Sequence, residues 1–268
     1  AERGYFSPER VQHVIIPEPL NKDRICLGHR GVWWGALETH GRIAHGSMPF
    51  LGDCAVRHMG AVIAEMEASL YPALAARQTE MPVVPEGARQ STLNINSLHG
   101  GQSEGAADFT GLPSPCVPDS ARMVLDRRFL MEENLADVEG EIRDLLENLR
   151  KTRPNFRYDL REMHHVLPSM TDQKAPVVTS VASAIGAVLG RAPDYVVSPG
   201  TYDQKHIDRI GRMKNCIAYG PGILDLAHQP DEYVGVDDMI DSAKVMGLSL
   251  AHLLAGETLD DNSGPART

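Results

Sequence analysis

Between Gly31 and Leu167 the apolar residues switch repeatedly between a period of two and steps of three and four, and that succession limits the fold more than any other feature of the chain. Val32–Thr39 alternates and is rich in aromatic residues, the pattern of a half-buried strand. Val56, Met59, Ile63, Met66 and Leu70 then fall on one face of a helix. Ser91–Leu98 and Ser120–Arg127 return to strand spacing. Leu135, Val138, Ile142, Leu145 and Leu149 mark a second helix, and Asn155–Leu167 closes with a strand. The order is βαββαβ, that of the ferredoxin-like split motif. Two helices cover one face of such a sheet and leave the other face and the edges open, so the unit is expected to need a partner surface. Two connections inside it, the Pro-containing Glu80–Gln90 and the Gly/Ser/Pro-rich Gly100–Pro118, are expected to be loops.

The flanking segments alternate helix and strand. Val11–Pro17 is a short apolar strand that ends on a carboxylate, Glu18, set between two prolines, and Arg24–Gly28 is a second strand. Beyond Pro168 come a helix from Pro176 to Leu189, short strands at Tyr195–Val197 and Ile217–Tyr219, and a closing helix on Met239, Ala243, Met246, Leu250 and Leu253. This alternation predicts an α/β layer with a mostly parallel sheet. The first residues supply a strand without a helix, so 1–30 and 168–268 are expected to form one α/β domain, with 31–167 inserted between them.

A net charge of -10 and a pI near 5.5 set the surface against phosphate backbones and anionic lipid, so neither nucleic acid nor a membrane is an expected partner. The most apolar stretch, Val177–Gly190, is too short to span a bilayer and is interrupted by Thr179, Ser180 and Ser183. Cys26, Cys54, Cys116 and Cys216 stand far apart with no C-x-x-C pair, which favours reduced thiols and a cytoplasmic location. The chain opens Ala-Glu-Arg without Met, which reads as a cut or processed start.

Taken one at a time, the polar residues that could carry chemistry have ordinary explanations. Glu18 suits an exposed loop, His228 follows a turn and suits a solvated imidazole, and His45 ends a strand beside Gly46 and Ser47. Arg128 lies two residues from Asp126 on a strand, a common structural ion pair. The tandem His164-His165 cannot place both rings on one face of a strand.

In order along the chain these residues resemble the co-catalytic zinc peptidases and amidohydrolases that include aminoacylases, acetylornithine deacetylase and succinyl-diaminopimelate desuccinylase. Val14-Ile-Ile-Pro-Glu-Pro19 looks like the end of a catalytic-domain strand, and Gly28-His-Arg-Gly31 is similar to the entry into the lid. Gly41-Arg-Ile-Ala-His-Gly-Ser-Met-Pro49 resembles the G-[KR]-x-A-H-x-S-x-P signature. Asp126-Arg-Arg128 resembles the lid strand with D-x-R. Tyr219-Gly-Pro-Gly222 with Ala227-His-Gln-Pro-Asp-Glu232 resembles the closing G-P-G…A-H-x-x-[DN]-E. The fold implied is the C-terminal part of an α/β metallopeptidase catalytic domain with an inserted ferredoxin-like lid and dimerisation domain.

The resemblance implies a role for each residue. Glu18 and His228 would be ligands to two divalent metal ions, zinc first, with cobalt or manganese as alternatives. His45 would reach from the lid of a neighbouring subunit to the oxyanion of the tetrahedral intermediate. Arg128 would bind the substrate carboxylate, and Gly200, Thr201 and Gly222 would line the pocket. The activity implied is hydrolysis of the amide of an N-acyl amino acid or a similar small-molecule substrate, by a homodimer or larger homo-oligomer joined through the lid. Decarbamoylation or deamination of a related molecule, a non-catalytic descendant, and an unrelated regulatory domain joined to an α/β domain are the alternatives. The family's metal-binding H-x-D and its adjacent Glu-Glu, which supplies the bridging carboxylate and general base, are expected in an N-terminal portion outside this chain. Glu132-Glu133 is an adjacent pair, but it stands in the lid. Cys54 and Cys116 occupy positions where Asn is expected, Ser198-Pro-Gly-Thr-Tyr-Asp203 varies G-G-[TS]-D, and Trp33-Trp34 is bulky for the first lid strand.

Overall fold

The computed structural model describes residues 1–101 and 115–255, so most of the Gly100–Pro118 connection lies outside the described residues. Along the chain run β1 (Val14–Ile16), β2 (Arg24–His29), β3 (Gly31–His40), α1 (Ala55–Glu65), α2 (Tyr71–Ala75), β4 (Thr92–Gly100), β5 (Ser120–Phe129) and α3 (Leu135–Thr152). Then follow β6 (Arg157–Val166), β7 (Ser169–Met170), α4 (Pro176–Leu189), β8 (Asp194–Ser198), α5 (Gln204–Arg209), β9 (Cys216–Ala218) and α6 (Val236–Ala255). The elements group into two compact units, one of Ala1–Arg30, Glu80–Arg89 and the residues from Pro168 on, the other of Gly31–Thr79 and Gln90–Leu167.

The second unit is a four-stranded antiparallel sheet in the order β4-β5-β3-β6, with α1 and α3 on one face. Alternate residues of β3 and β5, among them Trp33, Leu37, Met123, Leu125 and Phe129, are fully buried against the helices. Each such side chain contributes about 1.5–3 kcal/mol by leaving water. Helix α3 begins where Asn134 accepts the Asp137 N–H at 2.9 Å, a side-chain N-cap. On α1 the buried face differs from the apolar stripe, because Val56 is exposed and His58 is buried. The His58 ring is satisfied on both sides: its Nε2 lies 2.9 Å from Asp53 Oδ1, and Arg153 Nε donates to its Nδ1 at 2.8 Å.

A buried charge network ties this unit together. Arg127 is 1% exposed on the helix face of β5, and its Nη2 pairs with Glu133 Oε1 at 2.6 Å. Arg77 Nη1 reaches the same oxygen at 3.1 Å and also pairs with Glu141. The other oxygen of Glu133 accepts from the Leu130 N–H at 2.7 Å and from the Ser91 hydroxyl. Beside it, Thr79 donates to Glu132 at 2.7 Å. The adjacent Glu pair is thus structural.

In the first unit β1 pairs parallel with β9, β2 pairs parallel with β8, and β7 adds antiparallel to β2, so the sheet is mixed rather than mostly parallel. Gly28 permits this close crossing, since a Cβ there would meet the Ser169 carbonyl. Helix α4 starts with Pro176 at its first turn and ends on Gly190 in the left-handed region, φ 71°. Helix α6 packs through Ser242, Val245 and Ser249, whereas Met239 and Leu250 of the expected apolar stripe are about half exposed. The small serines let the helices approach, and Ser180 Oγ donates to the Ser249 carbonyl at 3.0 Å. The segment Glu80–Arg89, expected inside the insertion, joins this unit: Val83 bridges Val197, and both sit in one small apolar cluster. Among the described residues no helix is long and apolar enough to cross a membrane.

The network gives a prediction. Glu133→Ala leaves Arg127 buried with only Glu141, 3.8 Å away, as a counter-charge, and is expected to destabilise the protein by about 3 kcal/mol in urea unfolding. The acid limb carries the same signature. Burial alone would raise the Glu133 carboxyl, but the Leu130 N–H, Ser91 and Arg127 outweigh it and hold the carboxyl below its ordinary value. A lowered folded-state value means stability that is present above the ordinary Glu range and lost as pH falls through the lowered one. Glu133→Gln should therefore flatten stability against pH on the acid side of that range.

Candidate active site

Glu18 follows β1 directly, where the flanking prolines fix its backbone. Gly220 lies so close that a Cβ there would meet the Glu18 carbonyl oxygen, and Asn21 N donates to Gly222 O at 2.7 Å. The Tyr219–Gly222 turn is thereby clamped along residues 18–21, and Tyr219 N donates to Ile16 O at 3.0 Å. Burial, and then the negative charge of Asp203, push the Glu18 carboxyl above its ordinary value, with Lys205 partly opposing. A carboxylate in that setting favours a nearby cation.

From Gly222 the chain passes through a single 3-10 turn, Leu224–Leu226, to His228. His228 has φ 65°, an uncommon left-handed conformation for a residue other than glycine. Its own N–H is held by Glu232 Oε2 at 3.2 Å and its side chain is exposed. Among the described residues no three His, Cys, Asp or Glu side chains lie close enough together to hold a metal ion. Glu18 and His228 therefore do not make a metal centre by themselves.

Gly200 and Thr201 stand between β8 and α5, half-buried. Arg30, 6% exposed, fastens this loop, because its Nε donates to Pro199 O at 3.1 Å and its Nη1 to Ala88 O at 2.9 Å. Helix α5 was not legible in the apolar spacing, and it brings Gln204 into the interior. Gln204 Nε2 donates to Leu27 O, Thr171 Oγ1 and Cys216 O at 2.9–3.1 Å, and its Oε1 accepts from Tyr202 at 2.6 Å. One amide thus joins β2 and β9 beneath the candidate pocket loop. The Tyr202 ring meets His29 edge-on at 5.3 Å. Burial pushes the His29 imidazole down to about 4, so it is neutral at ordinary pH.

The chain does spell H-x-D once, at His206-Ile207-Asp208, against the expectation that it holds none. The two side chains diverge, as positions i and i+2 of a helix must. His206 is exposed, whereas Asp208 is buried, accepts from Ser169 Oγ at 2.5 Å and pairs with Lys214. This pair is structural.

In the antiparallel unit the signature Gly41–Pro49 forms a bracket. Arg42 bridges Asp53, and His45 bridges Cys116. The His45 side chain is exposed, and the Ser47 N–H donates to its Nδ1 at 3.2 Å. A backbone N–H can only donate, so Nδ1 is the acceptor, and in the neutral ring Nε2 carries the proton. Cys54 sits at the N-cap of α1 without a side-chain cap bond, where Asn would provide one.

Arg128 lies on the face of β5 away from the helices. Its Nε and Nη2 contact the two oxygens of Asp126 at 2.6 and 2.9 Å. That side-on pair uses two of the five guanidinium N–H groups and leaves the end-on fork of Nη1 and Nη2 for another acceptor.

A peptidase dimerisation domain profile of the M20 group matches residues 27–153. Acetylornithine deacetylase of Myxococcus xanthus is 24% identical over 249 residues, covering 92% of this chain and 59% of that protein. Succinyl-diaminopimelate desuccinylase of Methylorubrum extorquens is 27% identical over 244 residues, covering 86% of this chain and 54% of that protein. The chain thus spans somewhat more than half the length of these relatives. Among solved structures, aminopeptidase PepT of Bacillus cereus superposes with a TM-score of 0.68 at 17% identity, over 92% of this chain and 59% of that one. The fold is shared with that aminopeptidase, and the four-stranded unit described above falls largely within the matched residues. Residues 27–153 thus resemble a peptidase dimerisation domain, within a longer stretch similar to an acetylornithine deacetylase and a succinyl-diaminopimelate desuccinylase.

Proposed function

We propose that this chain belongs to a divalent-metal-dependent hydrolase that cleaves the amide of a small N-acyl amino acid or similar carboxylate. The observation that carries the reading is Arg128. Asp126 holds its guanidinium from the side and leaves the end-on fork free, the arrangement that receives a carboxylate with two parallel hydrogen bonds. Glu18 and His228 would each give one ligand to such metal ions, zinc being the one we favour from a carboxylate and an imidazole. The remaining ligands would come from residues other than those described. When bound, the metal supplies polarisation of the amide carbonyl and activation of water. His45, with Nδ1 occupied by the Ser47 N–H, has an Nε2–H free to donate to a developing oxyanion of a neighbouring subunit's substrate. Gly200, Thr201 and Gly222 would offer backbone groups and a hydroxyl to the substrate.

The dimer would form through the β4 edge of the antiparallel sheet. The opposite edge, β6, carries Arg157, Asp159, Arg161 and Glu162, charges that oppose strand addition, whereas β4 bears Thr92, Asn94, Asn96 and Leu98. Leu98 is 49% exposed.

Three outcomes test the reading, measured on the whole enzyme. His45→Ala should lower kcat by about 10²–10³ with little change in Tm. A loss of Tm that tracks the loss of rate would assign His45 to the fold instead. Arg128→Ala should raise KM for carboxylate-bearing substrates, and Arg128→Lys should recover little because the fork is gone. Full recovery by Lys would mean that only charge matters there. Leu98→Lys should turn a dimer into a monomer by light scattering, and an unchanged mass would move the interface away from β4.

A further inference from the structure

The chain has two tryptophans, adjacent on β3 and pointing to opposite faces of the sheet. Trp33 is fully buried among the helices, whereas Trp34 is 36% exposed on the open face. The register sets Trp34 opposite Asp126 on β5 and His164 on β6, and sets Asp126 opposite Asn94 on β4. One row of side chains therefore crosses all four strands. Within it the Trp34 and His164 rings meet edge-on at 5.9 Å, and Asn94 Nδ2 donates to Asn96 Oδ1 at 2.7 Å.

Both edge strands carry an extra residue at this row. In β4 the register shifts between Ile95 and Ser97, and in β6 it shifts opposite Trp34 and Gly35. Bulges bend a strand and re-aim its side chains, and they gather next to functional sites. Here they flank an indole that the core does not need, because Trp33 already fills the space on the other face. Arg128 is two residues from Asp126 on the same face, which makes it the diagonal neighbour of Trp34. Diagonal neighbours stand roughly 7–8 Å apart, a separation that the ring and the carboxylate of one aromatic amino acid can bridge.

We propose that Trp34 is a specificity-determining residue that stacks the flat side chain of an aromatic N-acyl amino acid while Arg128 holds its carboxylate. The proposal rests on the role given to Arg128 above. A cationic side chain fits less well, because Asp126 is already neutralised by Arg128 and offers no free charge beside the indole.

The test is calorimetric binding of N-acetyl-L-phenylalanine, N-acetyl-L-alanine and N-acetyl-L-lysine to the whole protein. The phenylalanine derivative is expected to bind roughly three- to tenfold more tightly than the alanine derivative, the span of an aromatic pair. Its addition should quench the emission of the exposed indole. Trp34→Ala should remove the ratio and leave the alanine derivative's Kd unchanged, Trp34→Phe should restore most of it, and Arg128→Lys should weaken both ligands equally. Equal affinities in the native protein, a ratio that survives Trp34→Ala, or a preference for the lysine derivative would overturn the proposal while leaving Arg128 in its role. Absence of binding, or affinities that ignore Arg128→Lys, would overturn the role of Arg128 and the proposal with it.

Discussion

The antiparallel unit depends on one carboxylate. Glu133 accepts four hydrogen bonds, from Arg127, Arg77, the Leu130 N–H and Ser91, so every contact it makes joins a different part of the unit. Arg127 could not otherwise be enclosed at 1% exposure, because an unpaired guanidinium in a low-dielectric interior costs several kcal/mol. The turn after β5, the start of β4 and the residues following α2 are thereby fixed relative to β5. That matters one residue further along, where Arg128 turns to the opposite face. The inward arginine sets the strand, and the outward one presents its fork from that fixed position.

The first unit solves a similar problem by gathering neutral acceptors on buried donors. Leu27 O, Thr171 Oγ1 and Cys216 O come from three separate segments, and all accept from the single amide of Gln204. Arg30 does the same for the carbonyls of Ala88 and Pro199. Loops cannot rely on ladder hydrogen bonds, and here a buried side chain with several donors replaces them. The close seating of the Tyr219–Gly222 turn on residues 18–21 has a different cause, since it needs the absence of a side chain at Gly220.

The βαββαβ order was legible in the sequence because each of its six elements is at least nine residues long and holds its period over much of that length. What could not be read there was set by contacts between distant residues. Glu80–Arg89 looks like any Pro-containing loop until Val83 meets Val197. Helix α5, Gln204–Arg209, is too short to show a period. The inward faces of α1 and α6 include His58 and Ser249, polar residues that a hydrophobic stripe passes over but that hydrogen bonds make tolerable, and the small Ser242. Of the candidate site, the motif residues could be picked out by spelling. Spelling also offered His206-Ile207-Asp208, which the helix places on diverging faces. The state of a side chain was beyond it: that Asp126 leaves part of Arg128 free, or that Ser47 decides which His45 nitrogen bears the proton, follows from distances alone.

The two edges of the antiparallel sheet differ in a way that bears on how large an assembly can grow. β6 is fringed with Arg157, Asp159, Arg161 and Glu162, and β4 is not. A sheet with two open edges could add copies at either side without end, and the product would be a ribbon. With one edge guarded, a copy that joins through β4 can do so only by presenting its own β4, and the two-fold arrangement that results has no further open edge to offer. If copies join through β4, the charges on β6 would act as a terminator and set an upper limit on edge-to-edge growth.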